Sequence, residues 1–190
     1  MDQHGKRWSL VKSIALAAAL TLCAGLAQGQ CRQALALAID VSGSVDPIEY
    51  RLQTNGLATA LLSPAVVDSF LLMPDAPVAL AIYEWSGAPH QTLIQPWIDI
   101  RNVADLERVA AALAVKKRDP SAPGTALGIA MNYGLDLLDQ RSDCWSHTLD
   151  ISGDGKNNTG PDPQDVKAQA GDVTINGLVI AEDLPALSGK

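Results

Sequence analysis

The most constraining feature of the sequence is a short apolar segment without a polar face, LALAID at residues 35–40. A strand with one solvated face alternates apolar and polar residues, whereas a strand covered on both faces is apolar throughout. Residues 35–40 therefore predict a central strand of a parallel sheet. Parallel neighbours need long crossover connections, which are usually helices.

Along the rest of the chain, predicted strands alternate with predicted helices. Asp46 and Glu49 have the spacing of a capping box at a helix start, and Pro64 is expected to stop that helix. Pro96 indicates that the strand predicted at 92–98 lies at an edge of the sheet, because proline has no N–H to donate to a neighbouring strand. Further strands are predicted at 78–85, 92–98, 147–152 and 173–180, and helices at 47–63, 103–113, 126–140 and 165–170. The pattern predicts an α/β fold, a doubly wound, mostly parallel sheet with helices on both faces.

The first 29 residues have the composition of a secretory signal peptide. Three basic residues precede an uncharged apolar run at 13–26, and small or polar residues follow at 27–29. The run is shorter than the roughly 20 residues that span a bilayer. We therefore expect cleavage near Gly29, no stable membrane anchor afterwards, and a periplasmic or secreted protein.

The charge balance argues against nucleic acid as a partner. Removing residues 1–29 takes away three of 14 basic and one of 21 acidic residues, which leaves 11 and 20 and a formal net charge of −9. So acidic a chain lacks the positive surface that nucleic acid requires. The one basic run, KKR at 116–118, we interpret as the solvated end of a helix.

Oxygen-bearing side chains follow the first strand at alternate positions. Asp40, Ser42 and Ser44 point the same way from an extended segment, so they can converge just beyond the strand. The alternative is that residues 42–44 form a tight turn while Asp40 accepts hydrogen bonds from helix amides. Thr125 at a helix start and Asp154 beyond the fourth strand bring further oxygens. In such folds ligands gather outside the carboxyl ends of the strands.

The ordered set Asp40, Ser42, Ser44, Thr125 and Asp154 resembles the metal-ion-dependent adhesion site of von Willebrand factor type A domains. The segments AIDVSGSVDPIEYRLQ, YEWSG, GTALG and DISGDGKNN look like those of a bacterial family of secreted von Willebrand A-like proteins of unassigned function. The resemblance implies a von Willebrand A-like, Rossmann-like domain at 31–180.

The resemblance also raises a question about the C-terminus. After Ile180 only ten residues remain, whereas such domains continue through a further helix, an edge strand and a closing helix. The chain is then either a fragment or has a sheet that ends early. We expect the tail at 181–190 to be loosely ordered and the strand edge at 173–180 to favour association.

The five residue types suit a small, hard cation. Magnesium prefers six oxygens in near-octahedral geometry and gives up its waters reluctantly. Three hydroxyls and two carboxylates leave an open position, which an acidic side chain of a partner can complete. The resemblance implies a Mg²⁺ or Mn²⁺ site in a binding module that recognises an unidentified protein or other carboxylate-bearing ligand, rather than an enzyme.

The alternative is a metal-dependent hydrolase or phosphoryl-transfer enzyme that uses the same cation. The mature chain has only two histidines. His147 lies at the amino end of a predicted strand, away from where ligands gather, and His90 is interpreted as a solvated loop residue. The sequence has no G-x-S-x-G elbow, H-E-x-x-H or P-loop. A third possibility is a domain that only stabilises an assembly.

Four residues at predicted strand ends have less certain roles. Trp85 is interpreted as packing against a loop, and the role of Glu84 stays open. Asn157 and Asn158 either shape the metal loop or touch a ligand. Asp150, inside a strand, needs a hydrogen-bond partner.

Cys31 and Cys144 form an even pair in an exported chain. Cys31 lies nine residues before Asp40, and Cys144 lies ten before Asp154. If those two strands are parallel neighbours, as the resemblance implies, a disulfide is geometrically plausible. The alternative is two unpaired thiols.

Overall fold

The fold was taken from a computed structural model, which describes residues 31–118, 124–153 and 155–179. The predicted signal peptide at 1–29, the tail at 181–190 and Asp154 lie outside the described residues. Within the described ranges, no helix combines the length and the apolar composition that a membrane span needs.

The strands form one sheet in the order β3-β2-β1-β4-β5. They are β1 (Gln33–Asp40), β2 (Val78–Trp85), β3 (Gln91–Ile100), β4 (His147–Gly153) and β5 (Thr174–Val179). β3 pairs antiparallel with β2, and the other pairs are parallel. The predicted α/β fold is therefore confirmed, with β1 at the centre and the proline-containing strand at an edge.

The helices connect these strands largely as predicted. They are α1 (Pro47–Leu61), α2 (Pro64–Phe70), α3 (Val103–Val115), α4 (Leu127–Asp139) and α5 (Pro163–Gln169). The predicted capping box of α1 is present: Asp46 accepts from two backbone amides, and the Glu49 carboxylate accepts the Asp46 N–H at 2.8 Å. The prediction at Pro64 was incomplete. Proline at the first helical position is favourable, so Pro64 starts α2 as well as following α1.

Two apolar clusters cover the two faces of the sheet. On one face, alanines of β1 at 34, 36 and 38 pack with α4 and α5. The small side chains allow close approach, and a Cβ added at Gly134 would lie 2.7 Å from the Tyr83 hydroxyl oxygen. On the other face, Leu80 and Ile82 of β2 pack with α1 and α3. The carboxyl edge of the sheet is thereby held between two helical layers.

Coverage of β1 is less complete than its apolar sequence predicts. Leu35 and Leu37 are only partly buried. A groove of about 590 Å³ opens beside Leu37, between α1 and the strands β1, β4 and β5. Leu178 of β5 faces this groove and is 67% exposed. The face that carries α1 and α3 is therefore open at its β5 side.

Cys31 and Cys144 are joined by a disulfide, with their Cα atoms 4.3 Å apart. β1 and β4 are parallel neighbours, with Ala34 opposite His147, so both cysteines lie before the amino ends of adjacent strands. The sequence separation is 113 residues. Closing so long a loop stabilises a fold by about 4 to 5 kcal/mol in the chain-entropy model.

Candidate metal centre

β1 delivers Asp40 to the carboxyl edge of the sheet with its side chain completely buried. The Asp40 Oδ1 accepts the backbone N–H of Ser42 at 2.7 Å. Ser42 is also buried, and its Oγ lies 3.1 Å from the Oγ of exposed Ser44. The tight turn considered above is present as well, since the Val45 N–H donates to the Ser42 carbonyl at 3.1 Å. The turn therefore brings the three predicted oxygens together rather than replacing them.

Thr125 lies just before α4 and is 7% exposed. Its N–H donates to the Asn158 Oδ1 at 3.0 Å, and the Asn158 N–H donates back to the Thr125 carbonyl at 2.9 Å. The Asn157 Oδ1 accepts the Gly128 N–H at 3.4 Å in the first turn of α4. The two asparagines therefore shape the loop, one of the two roles that the sequence left open.

The end of β4 approaches both groups of oxygens. A Cβ added at Gly153 would lie 3.5 Å from the Asp40 Oδ2, and one added at Gly155 would lie 3.4 Å from the Thr125 Oγ1. Gly153 therefore lies beside Asp40, and Gly155 lies beside Thr125. Asp154 itself is outside the described residues, so its participation stays a prediction.

Ser152 and Trp85 fix the end of β4 to the strands beside it. The Ser152 hydroxyl donates to the Ala38 carbonyl and accepts the Asp40 N–H, both at 3.2 Å. The completely buried indole of Trp85 donates to the Ser152 carbonyl at 3.2 Å. A Cβ at Gly153 would meet the Trp85 ring at 3.4 Å. The interpretation of Trp85 as a packing residue is confirmed.

The Glu84 side chain points from β2 into the layer between the sheet and α1. It is completely buried, and its Oε1 accepts the hydroxyl of Tyr50. The Lys116 Nζ lies 3.4 Å from its Oε2. A buried carboxylate needs such partners because its hydration is lost. Glu84 therefore ties β2 to α1 and to the segment that follows α3.

The basic run at 116–118 is not the solvated helix end that the sequence predicted. The Lys116 side chain is only 19% exposed. The Arg118 Nη2 donates to the Val41 and Ser42 carbonyls at 3.3 and 3.2 Å. Lys117 alone matches the prediction. A carboxylate at position 84 in an apolar strand was the sequence signal that a cation had to be nearby.

Other polar residues lie away from this loop. Asp150 accepts the Asn176 amide at 2.7 Å, which identifies the partner that the sequence required. The His147 Nε2 lies 2.9 Å from the Arg141 carbonyl at the start of β4. His90 is half-buried rather than solvated, and its Nε2 is shielded without a hydrogen-bond partner among the described residues.

The donor set is dominated by hydroxyl groups. Within the described part of the chain, no three or more His, Cys, Asp or Glu side chains are placed to hold a metal ion. The four described residues of the predicted set, Asp40, Ser42, Ser44 and Thr125, carry one carboxylate and three hydroxyls, and such hard oxygens are of the kind that Mg²⁺ prefers. The residues present therefore fit a small divalent cation, with further oxygens from water or from position 154.

Residues 30–188 match the family described as "Protein of unknown function (DUF1194)". The chain belongs to the DUF1194 family. Among curated proteins, none matches the sequence of this DUF1194 chain.

Solved structures place this DUF1194 domain among von Willebrand factor A-like folds. Proximal thread matrix protein 1 (PTMP1) from the mussel byssus is 14% identical, with a TM-score of 0.57 over 78% of this chain and 38% of its own. BatB from Bacteroides thetaiotaomicron is 16% identical, with a TM-score of 0.56 over 77% of this chain and 65% of its own. A von Willebrand factor type A structure from Catenulispora acidiphila is 16% identical, with a TM-score of 0.55 over 77% and 33%.

The likeness at these identities establishes the fold. The DUF1194 chain spans about 38% of the length of PTMP1. PTMP1 also has a structure with a zinc-occupied MIDAS motif, which aligns with a TM-score of 0.58. The chain thus has a von Willebrand factor A-like fold.

Proposed function

We propose that the protein is an exported binding module that holds Mg²⁺ or Mn²⁺ at Asp40, Ser42, Ser44, Thr125 and Asp154. An acidic group of a protein or other carboxylate-bearing ligand completes the coordination. The observation that carries the proposal is the 3.1 Å approach of the Ser42 and Ser44 hydroxyl oxygens beside a completely buried Asp40.

The electrostatics of Asp40 support a cation. A fully buried carboxylate is costly unless opposite charge or hydrogen bonds compensate it. The Ser42 N–H is one of the hydrogen-bond donors to Asp40, and a divalent cation beside the carboxylate would add opposite charge. Because Ser42, Ser44 and Thr125 are neutral, the two carboxylates of the proposed set would balance a divalent cation without an excess of negative charge, so an acid from a partner could still complete the coordination.

The zinc-occupied motif in PTMP1 supports a divalent cation in general. The choice of Mg²⁺ or Mn²⁺ rests on the hydroxyl-rich donor set, since zinc more often takes histidine and cysteine. The hydrolase considered from the sequence gains no support from the described residues, because His147 lies at the opposite edge of the sheet.

Metal binding is tested by thermal unfolding of the purified protein, residues 30–190, with and without MgCl₂ or MnCl₂. A ligand that binds only the folded state at about 100 times its Kd stabilises by about 2.7 kcal/mol. We expect that increase for wild type and its loss in Asp40→Ala. Asp139→Asn, which removes an exposed carboxylate at the end of α4, is the control and should respond like wild type. An equal response in Asp40→Ala would refute the site.

Export is a separate part of the proposal. It rests on the basic and apolar pattern of residues 1–29. The N-terminus of the protein recovered from the native periplasm or medium should begin near residue 30. Recovery of the full-length chain from the cytoplasm would contradict export while leaving the metal centre untouched.

A further inference from the structure

The groove beside β5 is an apolar surface that the described residues leave open. It lies between α1 and the strands β1, β4 and β5 and has a volume of about 590 Å³. Leu52 of α1 is 69% exposed and Leu178 of β5 is 67% exposed. Apolar side chains exposed together in a groove indicate a surface on which another segment packs. The larger aliphatic lining residues are Leu37, Ile39, Leu52, Leu57, Ile151 and Leu178.

Two glycines give the groove room for a polypeptide backbone. Gly56 of α1 and Gly177 of β5 both line it. Neither has the positive φ that would require glycine, and a Cβ added at either would meet no described residue within 4 Å apart from its own stretch of chain. Glycine in the interior of an element often marks the close approach of another backbone. The groove therefore suits a peptide segment, whose backbone can approach both elements.

The charge of Asp150 limits what the groove accepts. Asp150 is the charged residue among the described lining residues. Its carboxylate accepts the neutral amide of Asn176 at 2.7 Å and forms no ion pair with a described residue. A second carboxylate beside it would be repelled. An occupant should therefore place aliphatic side chains inside the groove and keep its carboxylates at the rim.

The chain itself supplies a segment of this composition. β5 ends at Val179, directly after Leu178 of the groove wall. The sequence continues as IAEDLPALSGK at 180–190, eleven residues with large aliphatic side chains at 180, 184 and 187 and carboxylates at 182 and 183. Eleven extended residues reach about 36 Å, whereas the 15 residues of α1 are about 22 Å long. The segment is therefore long enough to run the length of α1.

We propose that residues 180–190 pack in the groove, with Leu184 and Leu187 against Leu52 and the neighbouring aliphatic side chains. A segment tethered at the rim has an effective concentration in the millimolar range, so the chain's own segment is favoured over a second copy or another protein. The family match at 30–188 includes most of the segment, which supports a place within the domain. The packing replaces the loosely ordered tail expected from the sequence, and it does not depend on the proposed cation.

Hydrogen exchange of the backbone amides at 180–190 tests this packing in the purified protein, residues 30–190. Protection is the ratio of the intrinsic exchange rate to the observed one. It should be at least about tenfold higher in wild type than in Leu184→Ser/Leu187→Ser. The control Glu182→Ser/Asp183→Ser changes two neighbouring residues whose carboxylates stay at the rim, so it should keep wild-type protection. Equal protection in wild type and the double-leucine variant would overturn the proposal.

A matched pair of variants on α1 locates the segment. Leu52→Ser changes the groove wall, whereas Ile48→Ser changes a residue of nearly equal exposure, 70%, that lies one turn earlier and outside the groove lining. Leu52→Ser should lose most of the protection at 180–190, and Ile48→Ser should keep it. Equal protection in these two variants would place the segment elsewhere and overturn the groove assignment.

Two further readouts complete the test. The amides of β1 should exchange alike in wild type and all variants, because none of the substitutions lies in the core of the sheet. Protection at 180–190 should also be unchanged on about tenfold dilution of the protein. Loss of protection on dilution would assign the groove to a second copy and overturn packing of the chain's own segment.

Discussion

Lys116→Met tests whether Lys116 compensates the charge of the buried Glu84. The substitution leaves Glu84, which is completely buried, with the Tyr50 hydroxyl as its remaining described partner. Methionine preserves the length of the side chain, so the loss of charge is the main change. The segment at 116–118 also carries Arg118, whose guanidinium contacts the loop carbonyls.

The magnitude follows from burial. Removing one partner of a fully buried ion pair destabilises a protein by about 3 to 5 kcal/mol. Lys116 is 19% exposed and its Nζ lies 3.4 Å from the Glu84 Oε2, so water can reach one side of the pair. We therefore expect a lower free-energy loss of about 2 to 3 kcal/mol, which corresponds to a fall in Tm of about 5 to 10 °C for a chain of this size.

Urea denaturation measures this loss as a lower midpoint with an unchanged slope. The control is Lys117→Met, an exposed neighbour that should change stability by less than about 0.5 kcal/mol. Glu84→Gln/Lys116→Met should recover about half of the loss, because no uncompensated charge remains. Equal midpoints for Lys116→Met and Lys117→Met would refute the argument that this pair is buried and coupled.

Three further predictions concern other parts of the domain. Asn158→Ala should destabilise by about 1 kcal/mol and weaken Mg²⁺ stabilisation, because the N–H of Thr125 loses its acceptor; wild-type metal response would contradict this. Burial raises the pKa of Tyr83 above its ordinary value. Above about pH 10 this tyrosine therefore ionises in the unfolded chain before it does in the folded one, and the free energy of unfolding should fall. In Tyr83→Phe the urea midpoint should fall less steeply over the same pH range. Denatured, unreduced protein should show no free thiol at Cys31 or Cys144, and two would refute the disulfide.

The elements that the sequence predicted best are those with strong local signals. The bounds of β2 at 78–85 agree because a run that is apolar except for Glu84 lies between proline and serine–glycine breakers. The start of α1 agrees because Asp46, Pro47 and Glu49 carry the cap within four residues. α2 was missed because a proline that ends one helix also suits the first turn of another.

The supports of the site were less predictable because they are long-range contacts. The pair of Glu84 with Lys116 joins residues on different elements, and local charge patterning alone favoured a solvated run. The hydrogen bonds between Asn158 and Thr125 likewise depend on the packing of two loops. The convergence of Asp40, Ser42 and Ser44 was predicted from the period of an extended strand, whereas the structure brings them together with a turn that follows Asp40.

The most direct test of the metal centre is to count bound Mn²⁺ by electron paramagnetic resonance, which detects the free ion. Wild type should bind one equivalent that excess Mg²⁺ displaces. A folded Ser42→Ala/Ser44→Ala variant should bind none, because it lacks the two hydroxyls that lie 3.1 Å apart. Saturable binding of the same stoichiometry and affinity in that variant would contradict the account.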